Sequence, residues 1–358
     1  MKIKMLKTIE FVIKFLFSFV LVLLIGIVWK YLVFAKSDLE KKDETYQKEF
    51  NENYSIYAVP LPSTLEFAGE KVPLEYYDVF ESLDREFLVN TYWQSQTMLF
   101  IKRAGKYFPI IEKILRKNGV PEDFKYVALV ESGLTNAVSP AGAKGYWQFL
   151  ESSGKKYGLR INKYVDERYH LEKSTEAACR YFKDAYKIFD NWTLAAASFN
   201  VGMGRLQKAI EKQGENSYYD LHLNKETARY VYRILAIKYI LEHAQKFGFH
   251  FRKKDLYRMP RYKVVKVDST INDLNAFAHS YGINLKILKD MNPWLISDKL
   301  VVTDSLGYEI KIPQERSLYA KLTEGKNTNY SKDSSIAVSS TPDTAVSDRG
   351  IMIQQEQQ

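Results

Sequence analysis

The chain has almost no cysteine, the residue that cross-links proteins through disulfide bonds. It contains a single cysteine, Cys179, among 358 residues, so no disulfide bond can form within it. The surrounding sequence, AACRYF, places this cysteine on the apolar side of a predicted helix. We therefore expect a buried structural thiol rather than a reactive nucleophile.

Metal and nucleic-acid signals are also missing. None of the five histidines has the spacing of a metal site, and we expect neither a metal nor a cofactor. The net charge of +9 favours acidic partners, which include nucleic acid, anionic lipid and anionic cell-wall polymers. No block of basic residues alternates with aromatic ones, so we do not expect the partner to be nucleic acid. The histidines are His170, His222, His243, His250 and His279.

Aromatic residues, by contrast, are abundant. They make up 14% of the sequence, with 26 tyrosines. Such rings can build a core or line a cleft that binds sugars, and composition alone does not choose between these uses. The length is sufficient for one large domain and a smaller one.

The N-terminal region, residues 1–36, contains the longest apolar run. Residues 15–29 carry no charge, and the run continues through 31–35 after Lys30. Because a helix needs about 20 residues to cross a bilayer, we interpret this region as an uncleaved membrane anchor. A cleaved signal peptide is the alternative, although its apolar core usually spans only about 7–15 residues. The lysines before the run favour an N-terminus on the cytoplasmic side of the membrane and export of the rest.

The central part, residues 72–255, has the apolar spacing of a helical domain. One amphipathic helix is predicted to end at Asn118-Gly119, and another to begin after Pro121 with acidic residues. Further on, Ser174 and Thr175 are predicted to cap a third helix.

Three other segments complete the chain. Residues 37–71 are polar, charged and interrupted by prolines, which predicts a linker. Residues 262–313 read as strand, helix, helix and strand, which predicts a small βααβ domain. Residues 314–358 are polar with few large apolar side chains, which predicts a disordered tail.

A single carboxylate stands out in the central domain. Glu131 lies where a helical pattern gives way to Ser132-Gly133, and the helix side before it is apolar. An apolar site raises the pKa of a carboxylic acid toward neutral pH, which suits a proton donor. Cleavage of a glycosidic bond requires such a donor. From position alone, however, Glu131 could equally close a helix on the surface.

Four ordered motifs accompany this carboxylate. They are ESG at 131–133 with SPAGAKGYWQF at 139–149, DER at 166–168, ASFNVGMG at 197–204, and ET at 226–227 with Tyr230. In this order they resemble the catalytic domain of the soluble-lytic-transglycosylase superfamily, over about residues 72–250. The resemblance is strongest to the membrane-bound D-type murein transglycosylases. It implies a mainly α, lysozyme-like fold.

The resemblance also implies a role for each matching position. Glu131 would be the sole catalytic acid and then the base, and the Tyr230 hydroxyl would orient it. Ser132 would shape the loop. The substrate-binding residues would be Ser139, Gly145, Gln148 and Asn200. The alternative is that Gln148 is a surface amide, Tyr230 a core ring and the glycines only turns.

Two further points concern a possible second carboxylate and the positions that depart from the family motifs. A hydrolase would recruit Asp166 or Glu167 as a second carboxylate, whereas the family precedent makes this segment structural. Phe199 stands where the family usually has a tyrosine, and His170 where an aspartate is usual. These departures affect the tuning of substrate binding more than activity.

The implied reaction is a cleavage of peptidoglycan without water. Glu131 would protonate the oxygen between N-acetylmuramic acid and N-acetylglucosamine, and the substrate's own acetamido group would stabilise the cation. Glu131 would then take the proton of the muramoyl 6-hydroxyl, whose attack gives a 1,6-anhydro sugar. Two alternatives stay open. One is a hydrolytic muramidase on the same fold, and the other is a catalytically silent wall-binding protein.

The small C-terminal domain carries its own resemblance. VDST at 267–270, YGI at 281–283, MNP at 291–293 and IKIP at 310–313 resemble a degenerate LysM module, a fold that binds peptidoglycan. A βααβ domain without sugar affinity is the alternative. The expected partners are therefore peptidoglycan strands and, through the N-terminal helix, the membrane. The expected location is the bacterial cell envelope, anchored in the inner membrane with the catalytic domain in the periplasm or outside the membrane.

Overall fold

A computed structural model describes residues 14, 16–30, 44–45, 47–48, 51–52, 56–303 and 305–314. Within the predicted anchor, residues 16–30 are helical and their side chains are exposed. No helix in the described ranges is both long and apolar enough to span a membrane. The rest of the predicted anchor and the predicted tail beyond residue 314 lie outside the described residues.

The part of the chain from Val59 onward is mainly helical, as predicted. Its helices, numbered here in chain order, are α1 (Tyr77–Tyr92), α2 (Gln94–Lys117), α3 (Lys125–Ser132), α4 (Glu151–Lys156), α5 (Leu171–Phe189), α6 (Trp192–Val201), α7 (Met203–Gln213), α8 (Lys225–Glu242), α9 (Leu274–Ser280) and α10 (Leu285–Met291). Two small antiparallel sheets accompany them. They are β1 (Glu66–Phe67) with β2 (Glu70–Lys71), and β3 (Tyr262–Val267) with β4 (Tyr308–Pro313).

Local sequence signals set the ends of the helices around Glu131. Helix α2 ends at Lys117, directly before Asn118-Gly119, as the sequence predicts. A short 3₁₀ turn that follows Pro121 leads into α3. Helix α3 ends where Gly133 adopts a left-handed conformation with φ of 60°, which glycine takes without strain. Glu131 is thereby fixed in the last turn of its helix.

Helix α8 organises the core of the main domain. Its side chains Val231, Ile234 and Leu235 are fully buried, and the helix packs against α1, α3 and α6. Burial of such apolar side chains is the main source of stability in a helical domain. This packing places the ends of α3 and α6 beside α8.

The predicted linker is wrong in its second half. Val59, Leu65 and Phe67 are buried in the core of the main domain. The Glu70 carboxylate accepts hydrogen bonds from the backbone of Trp192 and Thr193 at the start of α6. The prolines and charges suggested a linker, but tertiary packing and this helix cap order the segment. The folded unit therefore begins near Val59 rather than at residue 72.

The predicted cap at Ser174 and Thr175 is also wrong. Helix α5 begins at Leu171, so both residues lie inside it and are fully buried. The Thr175 hydroxyl donates to the Leu171 carbonyl at 2.7 Å. Cys179 lies on the same helix, buried as expected, and burial raises the pKa of its thiol to about 12.

The C-terminal βααβ unit forms as predicted. Strand β3 pairs with β4 in antiparallel register, with Val265 opposite Ile310. Helices α9 and α10 cover this pair and contribute Leu274 and Leu288 to a second core. This core also contains Val165, a residue of the main domain.

Candidate active site

The central pair of the candidate site is Glu131 and Tyr230. The Tyr230 hydroxyl, on α8, donates a hydrogen bond to Oε1 of Glu131. Burial raises the pKa of Glu131 to about 7, while the hydrogen bond from Tyr230 and the charge of Arg233 oppose that rise. A carboxyl group with this pKa can give up and regain a proton near neutral pH.

Tyr230 itself is suited to be a permanent donor. Its side chain is only 2% exposed, and burial, followed by the nearby Glu131 charge, raises the pKa of its hydroxyl well above the ordinary value. The hydroxyl therefore keeps its proton at any physiological pH. The structure thus brings together the two residues expected to form the acid and its orienting partner.

Ser132 connects the end of α3 to the loop 139–149. Its hydroxyl lies 2.7 Å from the Tyr146 carbonyl, to which it donates, and 3.2 Å from the Ala128 carbonyl. This agrees with the expected loop-shaping role of Ser132. Because Ser132 directly follows Glu131, the position of the loop is coupled to the position of the carboxylate.

Gln148 is turned into this loop. Its Nε2 atom donates to the carbonyl oxygens of Ala137 at 3.0 Å and Gly145 at 2.9 Å, and its backbone has a left-handed φ of 50°. Both donors of the amide nitrogen are therefore used inside the protein. Only the amide oxygen remains to accept a hydrogen bond from a sugar.

Ser139 closes a tight turn in the same loop. Its hydroxyl oxygen accepts a hydrogen bond from the Ala143 backbone at 3.0 Å, and its carbonyl accepts one from Gly142 at 2.9 Å. These contacts give Ser139 a structural use that the motif alone did not indicate.

Gly145, predicted to be a substrate-binding residue, has a structural use in the fold. A Cβ atom at this position would lie 1.9 Å from the carbonyl oxygen of Arg168. Glycine is required here because two protein segments cross in contact, and the backbone also has a φ of +79°.

Asn200 lies at the end of α6 and is held by α8. Its Oδ1 atom accepts a hydrogen bond from the Thr227 hydroxyl at 2.9 Å, and that hydroxyl in turn accepts one from Asn224 at 2.9 Å. Sequence reasoning recognised Asn200 but missed Asn224, whose side chain also caps α8. The sequence did contain an indication of this cap, because asparagine directly before a helical pattern is a common N-cap residue. In the described part of the chain, Nδ2 of Asn200 has no hydrogen-bond partner, which leaves it able to donate to a sugar.

The Asp166-Glu167-Arg168 segment is structural, as the family precedent favoured. All three side chains are about 2% exposed. The Asp166 carboxylate accepts two hydrogen bonds from the Arg168 guanidinium, at 2.9 and 2.7 Å, and Glu167 pairs with Arg160 and Lys173. Salt bridges and backbone hydrogen bonds lower the pKa of Glu167 despite its burial. Neither carboxylate is free to assist a water molecule.

Arg233, an arginine beside the site, was not predicted. Arg233 pairs with Glu226 at 3.3 Å and approaches the buried Glu86 at 3.9 Å. Glu226, Tyr230 and Arg233 follow one another at helical spacings of four and three, so they share one face of α8. This periodicity was visible in the sequence, but the buried partner on α1 was not.

Phe199 shows how the chain accommodates its departure from the family motif. Its ring packs against Phe149, Tyr181 and Phe182, with centroids 5.0 to 5.4 Å apart. Such an aromatic cluster stabilises the fold without requiring a hydroxyl group. In the described ranges, no group of three or more His, Cys, Asp or Glu side chains is arranged to hold a metal ion.

Comparison with known families agrees with this geometry. Residues 108–222 match the family described as Transglycosylase SLT domain, and residues 263–316 match the Soluble lytic transglycosylase C-terminal LysM-like domain. Two segments of the chain therefore match an SLT domain and a LysM-like domain, in that order, which confirms the resemblance indicated by the motifs.

Individual relatives point the same way. The chain is 32% identical to membrane-bound lytic murein transglycosylase D of Escherichia coli K12 over 196 residues, which is 53% of this chain and 43% of the relative. The protein of the same name from Escherichia coli O6:H1 matches to the same extent. The alignment thus spans less than half the length of these relatives.

Proposed function

We propose that the chain is a peptidoglycan lytic transglycosylase. It cleaves the β-1,4 bond between N-acetylmuramic acid and N-acetylglucosamine without water and leaves a 1,6-anhydro end. The observation that carries this proposal is the Glu131–Tyr230 pair, in which a carboxyl group with a pKa of about 7 is oriented by a buried hydroxyl. The SLT domain and the murein transglycosylase relatives support it.

In this mechanism Glu131 acts twice. Protonated Glu131 gives its proton to the glycosidic oxygen as the bond to the anomeric carbon breaks. The acetamido group of the substrate stabilises the resulting cation, as the family resemblance implies. The Glu131 carboxylate then removes the proton of the muramoyl 6-hydroxyl, whose oxygen attacks the anomeric carbon. Tyr230 donates to Oε1 and thereby stabilises the carboxylate between the two steps.

The other polar groups would hold the sugar. The Asn200 amide nitrogen and the Gln148 amide oxygen are the groups left available, one as a donor and the other as an acceptor. We assign to them the recognition of sugar hydroxyl or N-acetyl groups. Ser139 and Gly145 act indirectly, by fixing the loop that presents Gln148.

A hydrolytic muramidase is the second candidate and is less well supported. It needs a group that activates water, commonly a second carboxylate. Asp166 and Glu167, the acids considered for that role, are buried and paired with basic side chains. A silent wall-binding protein is also disfavoured, because the raised pKa of Glu131 has no evident structural benefit.

The same comparisons and the N-terminal sequence support a proposal for the location. We propose a protein of the bacterial cell envelope whose apolar run at residues 15–35 anchors it to the membrane. The LysM-like domain would bind peptidoglycan. Protease protection of inverted and right-side-out membrane vesicles tests the orientation.

Mass spectrometry of the products tests the reaction. Purified sacculi are incubated with the full-length protein in detergent, and Glu131→Gln is the matched control because it keeps the shape of the side chain. Release of muropeptides with 1,6-anhydro ends by the wild type alone supports the proposal. Reducing ends that contain added water would indicate a muramidase. Sacculus binding without any release would indicate a silent binding protein.

A further inference from the structure

The C-terminal domain is joined to the main domain through the segment just before Arg168. Val165 is fully buried in the core of the C-terminal domain and bridges to Leu295. The Asp166 amide donates to the Trp294 carbonyl at 3.0 Å, and the Ile296 amide donates to the Tyr164 carbonyl at 3.2 Å. These contacts continue the backbone pairing of one domain into the other.

Side chains strengthen the same junction. Nζ of Lys311, on β4, lies 2.5 Å from Oε1 of Glu172, on α5. The guanidinium of Arg160 stacks on the Tyr308 ring with its central carbon 3.8 Å from the centroid. The His170 and Trp294 rings are stacked as well, with centroids 5.7 Å apart. The junction therefore contains an ion pair, a cation–π contact and a stacked pair of rings. A flexible linker between domains would have none of these contacts.

The segment held in this way also holds the active-site loop. Arg168 donates through one guanidinium nitrogen to the carbonyl oxygens of Gly142 and Phe149, both at 3.3 Å. Its own carbonyl contacts Gly145 so closely that no Cβ atom would fit there. Arg168 thus contacts the loop 139–149 at three points, Gly142, Gly145 and Phe149.

The contacts form one continuous path. The C-terminal core fixes Val165 and Asp166, Asp166 fixes the Arg168 guanidinium, and Arg168 fixes the loop. The loop accepts the Ser132 hydrogen bond through Tyr146, next to Glu131.

We propose that the C-terminal domain positions the active-site loop 139–149 through residues 164–168, and so supports turnover even on substrates that it does not bind. In this role Asp166 and Arg168 are positioning residues. The predicted effect on turnover rests on the proposed function. The coupling between the C-terminal domain and the loop does not.

The first test measures hydrogen exchange in the loop. Lys311→Met, made in the full-length protein, removes the interdomain ion pair, and Lys286→Met is the matched control. Lys286 forms an exposed ion pair with Asp290 on α10. The control substitution therefore removes the same charge from the same domain. We expect exchange of the loop amides, read by mass spectrometry, to accelerate by about threefold to tenfold in Lys311→Met and to stay unchanged in Lys286→Met.

The second test separates positioning from wall binding. The substrate is a soluble glycan tetrasaccharide without peptide, so that binding to the insoluble wall does not contribute to the rate. We expect Lys311→Met to lower kcat by about threefold to tenfold with little change in KM. Lys311→Arg keeps the positive charge and should keep kcat near the wild-type value. Val165→Ala, which removes packing rather than charge, should act in the same direction.

Each outcome has a distinct meaning. Unchanged loop exchange in both Lys311→Met and Val165→Ala would overturn the proposal, whatever the activity. Unchanged kcat with weaker sacculus binding would also overturn it, because the domain would then act only as an anchor to the wall. Accelerated loop exchange in Lys311→Met, found together with a wild-type protein that releases no product from sacculi, would support the coupling and refute the proposed function instead.

Discussion

The hydroxyl of Tyr230 donates a hydrogen bond to the carboxyl group of Glu131, across the contact between α8 and the end of α3. A hydrogen bond to the ionised form of an acid lowers the pKa of that acid, whereas burial raises it. The pKa of Glu131, at about 7, reflects the balance of these opposing effects, with burial the larger.

Activity should therefore fall as the pH rises through about 7, because the proposed mechanism starts with a protonated Glu131. Tyr230→Phe removes the donor, so the pKa of Glu131 rises and this limb of the pH profile moves to higher pH. We also expect kcat to fall by about tenfold, because the carboxylate formed after proton transfer loses its stabilising partner. Measurement of kcat/KM from pH 4 to 9 for both proteins checks the shift. An identical alkaline limb in the two proteins would show that another group controls it.

Glu131 should also make folding stability depend on pH. Its pKa is about 7 in the folded state and 4.5 ordinarily, so the native state keeps a proton that the unfolded state loses between these values. The free energy of unfolding therefore falls as the pH rises through this window. Glu131→Gln avoids this loss and should be more stable than the wild type at pH 8 by about 2 kcal/mol, allowing for solvent screening. Urea unfolding at pH 4 and pH 8 tests this, and at pH 4 the two proteins should coincide.

Gly145 and Gly142 form a matched pair for testing the loop. Both have a positive φ, +79° and +80°, but only Gly145 faces another backbone, with Arg168 in contact. Gly145→Ala should destabilise the protein by about 2–4 kcal/mol through strain and steric overlap. Gly142→Ala has free space around it and should cost only about 1 kcal/mol. Denaturant unfolding of both variants measures the two losses in the free energy of unfolding. Equal losses would contradict the close contact between Gly145 and the Arg168 backbone.

Thr175 anchors the indole of Trp147, and its removal should weaken the domain. The Trp147 Nε1 atom donates to the Thr175 hydroxyl at 2.9 Å, and both residues are fully buried. Thr175→Val keeps the volume but leaves the indole donor without a partner, which should cost about 1–3 kcal/mol. Thr175→Ser keeps the hydroxyl and should lose less. Thermal unfolding of the two variants provides the comparison, with Thr175→Val expected to melt at the lower temperature.

Local signals were enough to predict much of this molecule. Asn118-Gly119 and Pro121 marked helix boundaries because their backbone preferences act within a few residues. The βααβ pattern of residues 262–313 was readable for the same reason, since alternation and turn residues are local. Glu131 and Tyr230 were predicted as a pair because both fall in motifs whose order matches a known family.

The remaining features depend on contacts between distant segments. Phe67 is buried in the core although the residues around it are charged and interrupted by prolines, and no local pattern reveals its partner Phe124. Thr175 was assigned to a cap because polar residues favour helix starts, whereas its hydroxyl is satisfied by Trp147 from another segment. Val165 read simply as apolar, and only the tertiary structure shows that it belongs to the core of the other domain.

The backbone of Gln148 has a consequence for the chemical durability of the protein. A non-glycine residue at a φ of 50° is strained by roughly 1 kcal/mol, and the two hydrogen bonds from its amide nitrogen hold the loop against that strain. Deamidation would convert the amide to a carboxylate, abolish both donors and set a negative charge against two carbonyl oxygens. Deamidation of this single amide would therefore loosen the loop beside Glu131 without breaking the chain.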